Sequence, residues 1–164
     1  FLRAEGALLG WTMGDTAENL YNTGVKTSLE LWGNGSSYET YIASETAPAL
    51  SYADPRNKHN VSDFGTAVSV KWELERIITQ KWIANHMIGH EAWADVRRTG
   101  YPRLLQVVNN LSGGMWGNVD SSKGMRRLHY PQSEYDNNRE NVLRGVELLG
   151  GSDLHGTDVW WAKK

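Results

Sequence analysis

The stretch from Glu73 to Leu105 constrains the fold of this chain more than any other part of the sequence. Its first half places large apolar side chains at positions i, i+3, i+4 and i+8, namely Leu74, Ile77, Ile78 and Trp82. This spacing predicts an α-helix with one buried face. The polar residues between them are expected on the opposite, solvent-facing side: Glu75, Arg76, Gln80 and Lys81.

A second, shorter helix is predicted from about His90 to Thr99, after Gly89 interrupts the first helical pattern. Gly100 is a typical helix stop. The proline that follows Tyr101 pushes that residue out of the helical region and into an extended conformation. The sequence therefore predicts two consecutive helices that form an αα-hairpin.

The N-terminal residues predict another hairpin of the same kind. A first helix is indicated by apolar side chains at helical spacing, which are Phe1, Ala4, Leu8 and Trp11. Asp15 and Glu18 lie three residues apart and match a capping box, which predicts a helix from about Thr16 to Trp32. Gly33 and Gly35 provide its stop. Two helices joined by a short turn are the unit of tetratricopeptide-type repeats.

The middle of the chain is predicted to be mostly irregular. A short helical piece is predicted from Tyr38 to Ile42. Residues Ser44 to Gly65 contain two prolines and no sustained period, which is typical of a long loop. The alternation of Val68, Val70 and Trp72 fits either a short strand or an extended link.

The C-terminal part combines a long loop with one regular helix. Leu104 to Val108 is a short apolar run that is expected to pack against the rest of the protein. Asn109 to Gly124 is rich in Gly, Asn and Ser around Met115 and Trp116, which predicts an exposed loop. Asn138 is expected to cap a helix that continues to Leu149, and Gly150 and Gly151 are expected to end it.

Composition excludes several classes of function. The chain has 164 residues, of which 40% are hydrophobic, and this length fits a single domain over 1–164. A net charge of −2 gives no basic footprint for nucleic acid and no cationic patch for an anionic membrane. The absence of cysteine excludes disulfides and thiolate chemistry. No run approaches the roughly 20 apolar residues of a transmembrane helix.

No metal, catalytic or cofactor site is predicted from the motifs. His86 and His90 have the i, i+4 spacing of metal ligands, but Gly89 is expected to break the helix between them and Glu91 is not in the position of a zinc-protease glutamate. Glu91 and Asp95 could serve as a carboxylate pair for glycoside hydrolysis. The favoured interpretation is that Asp95 and the following arginines tie the hairpin together.

Two adjacent arginines, Arg126 and Arg127, could in principle clamp an anion. We expect instead that they support the structure, with one charge anchored and the other in solvent. The chain also has no Gly-rich phosphate loop, no nucleophile elbow and no nucleotide-cofactor pattern, so no cofactor is predicted.

The richness in aromatic residues suggests a glycan ligand. The chain has eight Trp and seven Tyr but only two Phe, and rings with a polar edge are natural contacts for sugars. Four tryptophans follow helical stripes and are expected in the core: Trp11, Trp32, Trp82 and Trp93. The candidate ligand-binding residues lie in or beside polar loops, and they are Trp116, Tyr52 and Tyr38.

Several short words occur in a characteristic order along the chain. In the central hairpin they are ITQKWIA (78–84), EAWAD (91–95) and RRTGYP (97–102). Others are FLRAEGALLGW (1–11), LYNTGVKTSLELWG (20–33), RRLHYPQSEYDNNRENV (126–142), LLGG (148–151) and VWWAKK (159–164). Together they resemble the C-terminal part of the SusD/RagB family of nutrient-binding outer-membrane lipoproteins from Bacteroidetes. One departure lies at Trp72-Glu73, where that family usually has an acidic insertion.

This resemblance implies an all-α fold of tetratricopeptide-like hairpins with long irregular loops, in a chain that is a fragment of a longer protein. It also implies a lipoprotein on the surface of the outer membrane, anchored by an N-terminal lipid that lies outside this chain. Such a protein binds a glycan or a similar nutrient and delivers it to a SusC-like TonB-dependent transporter, without being an enzyme. The alternative is a helical protein-interaction module that has no small ligand of its own. A metal-dependent hydrolase is a distant third.

Overall fold

The computed structural model describes residues 1–43, 70–114 and 117–163, and for residues 70–72 it describes the backbone alone. These residues form seven α-helices and no strand, so the all-α prediction is confirmed. The helices are α1 (Leu2–Leu8), α2 (Ala17–Leu31), α3 (Tyr38–Ile42), α4 (Val70–Ala84), α5 (Gly89–Thr99), α6 (Gln132–Asn137) and α7 (Arg139–Leu149). None of them is long and apolar enough to cross a membrane.

The chain divides into two compact units, unit 1 (Phe1–Leu104) and unit 2 (Leu105–Lys164). Unit 1 contains helices α1 to α5, and unit 2 contains α6, α7 and the long loop that precedes them. The single domain expected over 1–164 stays a prediction, and each unit is described by itself below.

The core of unit 1 lies where α1, α2 and α4 meet. Its buried residues are Ala4, Tyr21, Val25 and Ile77. The edge of the Phe1 ring packs against Tyr21, with ring centroids 6.3 Å apart. Gly24 permits this approach, because a Cβ atom there would lie 2.9 Å from Cε1 of Phe1. Other apolar side chains cover the cluster: Leu8, Ala17, Leu20, Leu29, Tyr38, Tyr41 and Ile42.

The N-terminus of α2 differs by one residue from the prediction. Thr16 is the N-cap, and its hydroxyl accepts a hydrogen bond from the backbone N–H of Asn19 at 3.2 Å. The carboxylate of Asp15 accepts from the Thr16 amide at 2.7 Å and from the Asn19 side chain at 2.8 Å. Both hydrogen bonds favour the charged carboxylate, the Asn19 bond most, and they lower the pKa of Asp15.

Helix α4 is buried on more sides than the sequence predicts. Ile77 and Ile78 are buried as expected, but Arg76 and Gln80 are buried as well, so their predicted solvent exposure is wrong. The reason is tertiary: α4 contacts α1, α2 and α5 at once. The side-chain amide of Gln80 donates to the Tyr41 hydroxyl at 2.8 Å, so this buried amide has a hydrogen-bond partner.

The start of α4 also corrects the prediction for the segment before it. Val70 and Trp72 belong to the helix, so the proposed strand or extended link is wrong at these two positions. Val68 lies outside the described residues. The helix continues through Trp72-Glu73 without interruption.

Helix α5 agrees closely with its prediction. It ends at Thr99, and Gly100 follows in the left-handed conformation with φ of 79°. Tyr101 and Pro102 are both buried, and the peptide bond between them is cis.

Two of the four tryptophans expected in the core are exposed in the described chain. Trp11 and Trp32 are 64% and 52% exposed, whereas Trp82 and Trp93 are half-buried. Trp11 follows the end of α1, and Trp32 is the C-cap of α2. Both indoles therefore lie at helix ends, outside the buried cluster of unit 1.

Unit 2 confirms the predicted helix of the C-terminal part. Helix α7 begins after Asn138, buries Val142 and ends before Gly150, which is left-handed with φ of 66°.

The prediction that the apolar run from Leu104 to Val108 packs against the rest of the protein is wrong for most of the run. Val108 is fully exposed, and Leu104, Leu105 and Val107 are also exposed.

Candidate functional site

The three predicted ligand-binding residues differ in what the structure describes. Tyr52 and Trp116 lie outside the described residues. Tyr38 is the first residue of α3 and is half-buried against the core of unit 1. Burial is the larger of two causes that raise the pKa of the Tyr38 hydroxyl, and the nearby charge of Glu39 is the smaller. A role in ligand binding stays a prediction for all three residues.

The loop of residues 109–124 carries Trp116, and Asn110 joins the parts of it that the structure describes, residues 109–114 and 117–124. The side-chain amide of Asn110 donates to the carbonyl of Val119 at 2.6 Å and to the hydroxyl of Ser121 at 2.9 Å. Its carbonyl oxygen accepts from the Ser112 amide at 2.9 Å, and the Ser112 hydroxyl accepts from the Val119 amide at 2.9 Å. One side chain therefore joins the two arms of the loop. We name this segment the Trp116 loop.

The return arm of the Trp116 loop contains a second polar turn. The carboxylate of Asp120 accepts from the Ser122 amide at 2.7 Å and from the Lys123 amide at 3.2 Å. The hydrogen bond from the Ser122 side chain is the largest cause that lowers the pKa of Asp120. The carboxylate is thus charged at neutral pH and fixes the chain direction after the loop.

Gly156 lies against the Trp116 loop within unit 2. A Cβ atom at this position would lie 2.9 Å from the carbonyl oxygen of Asn118, which is a backbone atom that cannot rotate away. The close approach of two backbone segments therefore requires glycine here.

We expect Gly156→Ala to destabilise the protein by about 1–3 kcal/mol, because the added methyl group forces two packed backbone segments apart. Urea-induced unfolding would measure the change. Gly89→Ala is the matched control, since a Cβ atom at Gly89 has no neighbour within 4 Å. Equal effects of the two substitutions would contradict the close approach at Gly156.

Asp153 is the centre of a hydrogen-bond network behind this loop. Its carboxylate pairs with Arg127, accepts from the Tyr130 amide at 3.1 Å and accepts from the Tyr135 hydroxyl at 2.8 Å. Burial by itself would raise the pKa of Asp153, but the hydrogen bonds from Arg127, Tyr135 and Tyr130 outweigh it and lower the pKa below the ordinary value of 3.8. The hydrogen bond between the Tyr135 hydroxyl and Asp153 is also the largest cause that raises the pKa of Tyr135.

Arg126 has its own acidic partner, so the expectation that one of the two arginines faces solvent is wrong. Its Nε donates to Asp158 at 2.6 Å. The backbone amides of Arg126 and Arg127 both donate to the carbonyl of His155, at 2.8 and 3.2 Å. The two ion pairs and these amides hold segment 126–130 against segment 153–158.

The same two segments bring His129 and His155 together. Nδ1 of His129 lies 2.7 Å from Nε2 of His155, and the ring centroids are 4.8 Å apart. Sequence reasoning did not find this pair, because its members are 26 positions apart and match no motif. Only the pairing of the two segments in space reveals it.

His86 and His90 do not face a common site. His86 lies in the turn after α4, where its ring packs edge-on against Trp32 at 5.6 Å. His90 lies in the first turn of α5, is exposed, and has Nε2 3.9 Å from the Glu91 carboxylate. Across the described residues, no group of three or more His, Cys, Asp or Glu side chains could hold a metal ion.

Asp95 has the tying role that the sequence favours. Its carboxylate lies 2.7 Å from Lys81 of α4 and 3.1 Å from Arg98 of α5. Arg98 also donates to Glu5 of α1 at 2.9 Å, and this hydrogen bond is the largest cause that raises the pKa of Arg98. The network therefore joins three helices of unit 1, and its acidic groups are engaged with cations.

Known proteins match this sequence over nearly its whole length. The model of the SusD-like family, described as SusD and RagB outer-membrane lipoproteins, matches residues 1–162. No curated protein matches the chain.

Solved structures of SusD homologues share both sequence and fold with this chain. A homologue from Bacteroides uniformis is 47% identical with a TM-score of 0.81, and one from Bacteroides thetaiotaomicron is 41% identical with a TM-score of 0.81. A chitin-binding homologue from Flavobacterium johnsoniae is 44% identical with a TM-score of 0.80.

Each of these alignments covers 99% of this chain but only 35%, 36% and 35% of the respective homologue. The chain thus spans about a third of the length of these homologues. Because the family model matches nearly every residue and the identity exceeds 40% over the same span, the chain belongs to the SusD-like family of SusD and RagB outer-membrane lipoproteins.

Proposed function

We propose that the protein binds a glycan at the outer membrane and delivers it to a SusC-like TonB-dependent transporter. The observation that carries the proposal is the 44% identity, over 99% of this chain, to a SusD homologue that binds chitin. Membership in a family of outer-membrane lipoproteins agrees with the proposed location. The chain represents about a third of such a protein, so ligand and partner are proposed for the whole protein.

The Trp116 loop offers a physical basis for glycan binding in this part of the chain. Asn110 joins its two arms, and Gly156 lies against Asn118 behind them. Loop arms that are fixed before the ligand arrives lose less conformational entropy on binding. An indole on such a loop can stack on the apolar face of a sugar ring, while nearby hydroxyls and amides bind the sugar hydroxyls.

We further propose binding without covalent chemistry. A glycosidase needs one protonated and one charged carboxyl group on either side of the scissile bond. Asp95, Asp153 and Asp158 are instead each paired with a basic side chain, namely Lys81, Arg127 and Arg126. The carboxylates therefore have the surroundings of structural ion pairs.

Calorimetric titration of the full-length protein with chitin, cellulose and starch oligosaccharides would test the proposal. We expect binding of at least one glycan class, with the chitin oligosaccharides as the first candidates. A second titration with the co-expressed transporter in detergent tests delivery. Transporter binding without any glycan ligand would instead support the interaction-module alternative, and sugar release would indicate an enzyme.

We expect Trp116→Ala to weaken glycan binding by about five- to thirtyfold, because a stacked aromatic contact contributes about 1–2 kcal/mol. Trp116→Phe should retain part of the affinity, since the smaller ring still stacks. Trp11→Ala is a matched control, because it removes an exposed indole from unit 1. The proposal for Trp116 fails if both alanine variants bind the glycan as the unmodified protein does.

A further inference from the structure

We propose that His129 and His155 form a two-imidazole binding site for a transition-metal ion such as Zn²⁺, Ni²⁺ or Cu²⁺. The proposal rests on the side-chain geometry of unit 2 and is independent of the glycan proposal. Nδ1 of His129 and Nε2 of His155 approach to 2.7 Å, and both rings are half-buried. The ring planes are inclined at 43° to one another, so the two rings are not stacked face to face.

The distance between the nitrogens is close to the one a metal requires. A metal–imidazole bond is about 2.0–2.1 Å long, so two such bonds at roughly 90–110° place the nitrogens about 2.9–3.4 Å apart. The observed separation of 2.7 Å therefore needs to widen by less than about 1 Å. A change of this size corresponds to a rotation of the imidazole rings and requires no movement of the backbone.

The backbone at both ligands is held in place by the surrounding hydrogen bonds. His155 accepts two backbone N–H groups through its carbonyl, from Arg126 and Arg127. His129 lies between Arg127 and Tyr130, which both bind the Asp153 carboxylate. The site is therefore preorganised, and preorganisation of ligands raises metal affinity.

The local charges permit a cation. Arg126 and Arg127 lie next to the pair, but Asp158 and Asp153 neutralise them in ion pairs. Two imidazole nitrogens favour the borderline ions Zn²⁺, Ni²⁺ and Cu²⁺ over Ca²⁺ or Mg²⁺, which prefer oxygen ligands. Water or a ligand from another molecule would complete the coordination.

The test uses full-length protein that carries no histidine tag and has been treated with a chelator. Calorimetric titration with ZnCl₂, NiCl₂ and CuCl₂ should show one ion per chain. His129→Ala and His155→Ala should each weaken this binding by at least about tenfold, because each removes a direct ligand. The double variant His86→Ala/His90→Ala should bind as the unmodified protein does, since it leaves unit 2 intact.

Electron paramagnetic resonance of the Cu²⁺-loaded protein provides a second readout that reports the number of nitrogen ligands directly. We expect the hyperfine pattern of two imidazole nitrogens, reduced to one in a folded His129→Ala protein. Circular dichroism would verify folding, and His129→Gln would replace a variant that fails to fold. The proposal is overturned if no ion binds, or if the unit 1 double variant loses binding instead. The close pair would then be an imidazole–imidazole hydrogen bond only.

Discussion

Asp153→Ala is expected to destabilise the protein by about 3–5 kcal/mol, because it leaves a buried cation without its partner. Arg127 and Asp153 are both 9% exposed at their side chains. The substitution also removes the acceptor of the Tyr130 amide and of the Tyr135 hydroxyl. Each buried donor left without a partner adds about 1–3 kcal/mol of desolvation cost, although these terms are not additive.

Urea-induced unfolding and hydrogen exchange at the amides of unit 2 would measure this effect. The matched control is Asp136→Ala, since Asp136 is exposed and accepts from Gln132 at 2.9 Å. We expect the control to change the free energy of unfolding by no more than about 0.5 kcal/mol. A similar effect of both substitutions would show that the Asp153 network contributes little to stability.

The stability contributed by Asp153 should also depend on pH. Because the pKa of its carboxyl is lower in the folded protein than the ordinary value of 3.8, the folded state binds the proton less well than the unfolded state. The contribution is therefore fully present above about pH 4 and is lost as the pH falls through the lower, folded pKa. In the Asp153→Asn variant this part of the acid dependence should disappear.

Tyr21→Ala is expected to destabilise unit 1 by about 3–5 kcal/mol, as large-to-small changes of buried aromatic residues do. Tyr21 is 0% exposed and packs against the Phe1 ring in the core of unit 1. Removal of its ring leaves a cavity between α1, α2 and α4 that neighbouring side chains fill only in part.

Thermal or urea-induced unfolding would measure the change, and Lys26→Ala provides a control on the exposed face of the same helix. We expect the control to stay within about 0.5 kcal/mol, because it removes no buried contact. The assignment of Tyr21 to the core would be wrong if the two variants unfold at the same urea concentration.

Local signals in the sequence were sufficient for most of the helices. The apolar period, Gly100 and Gly150 predicted where α5 and α7 end, because a left-handed residue after a helix is a local requirement. The short α3 was also predicted with its observed bounds. The resemblance of the sequence words to the SusD/RagB family was confirmed over residues 1–162.

The same local signals predicted burial wrongly at positions where a neighbouring helix, or its absence, decides whether a side chain is exposed. Arg76 and Gln80 occupy the polar side of α4 in the sequence, yet they are buried because neighbouring helices cover that side too. Trp11 and Trp32 continue apolar stripes but lie at helix ends, outside the buried cluster of unit 1. The period of a helix shows which residues share a face, and tertiary packing decides which faces are covered.

The candidate sites also divide into those that the sequence predicts and those that only the tertiary structure reveals. Trp116, Tyr52 and Tyr38 were predicted from composition and loop position, and their role in ligand binding stays a prediction. The sequence by itself determined most of the helices, most of their ends and the family, since these depend on residues that are close along the chain. The tertiary structure alone decided that Asp153 joins Arg127, Tyr130 and Tyr135, and that His129 meets His155. These contacts join distant residues, and no short-range pattern in the sequence encodes them.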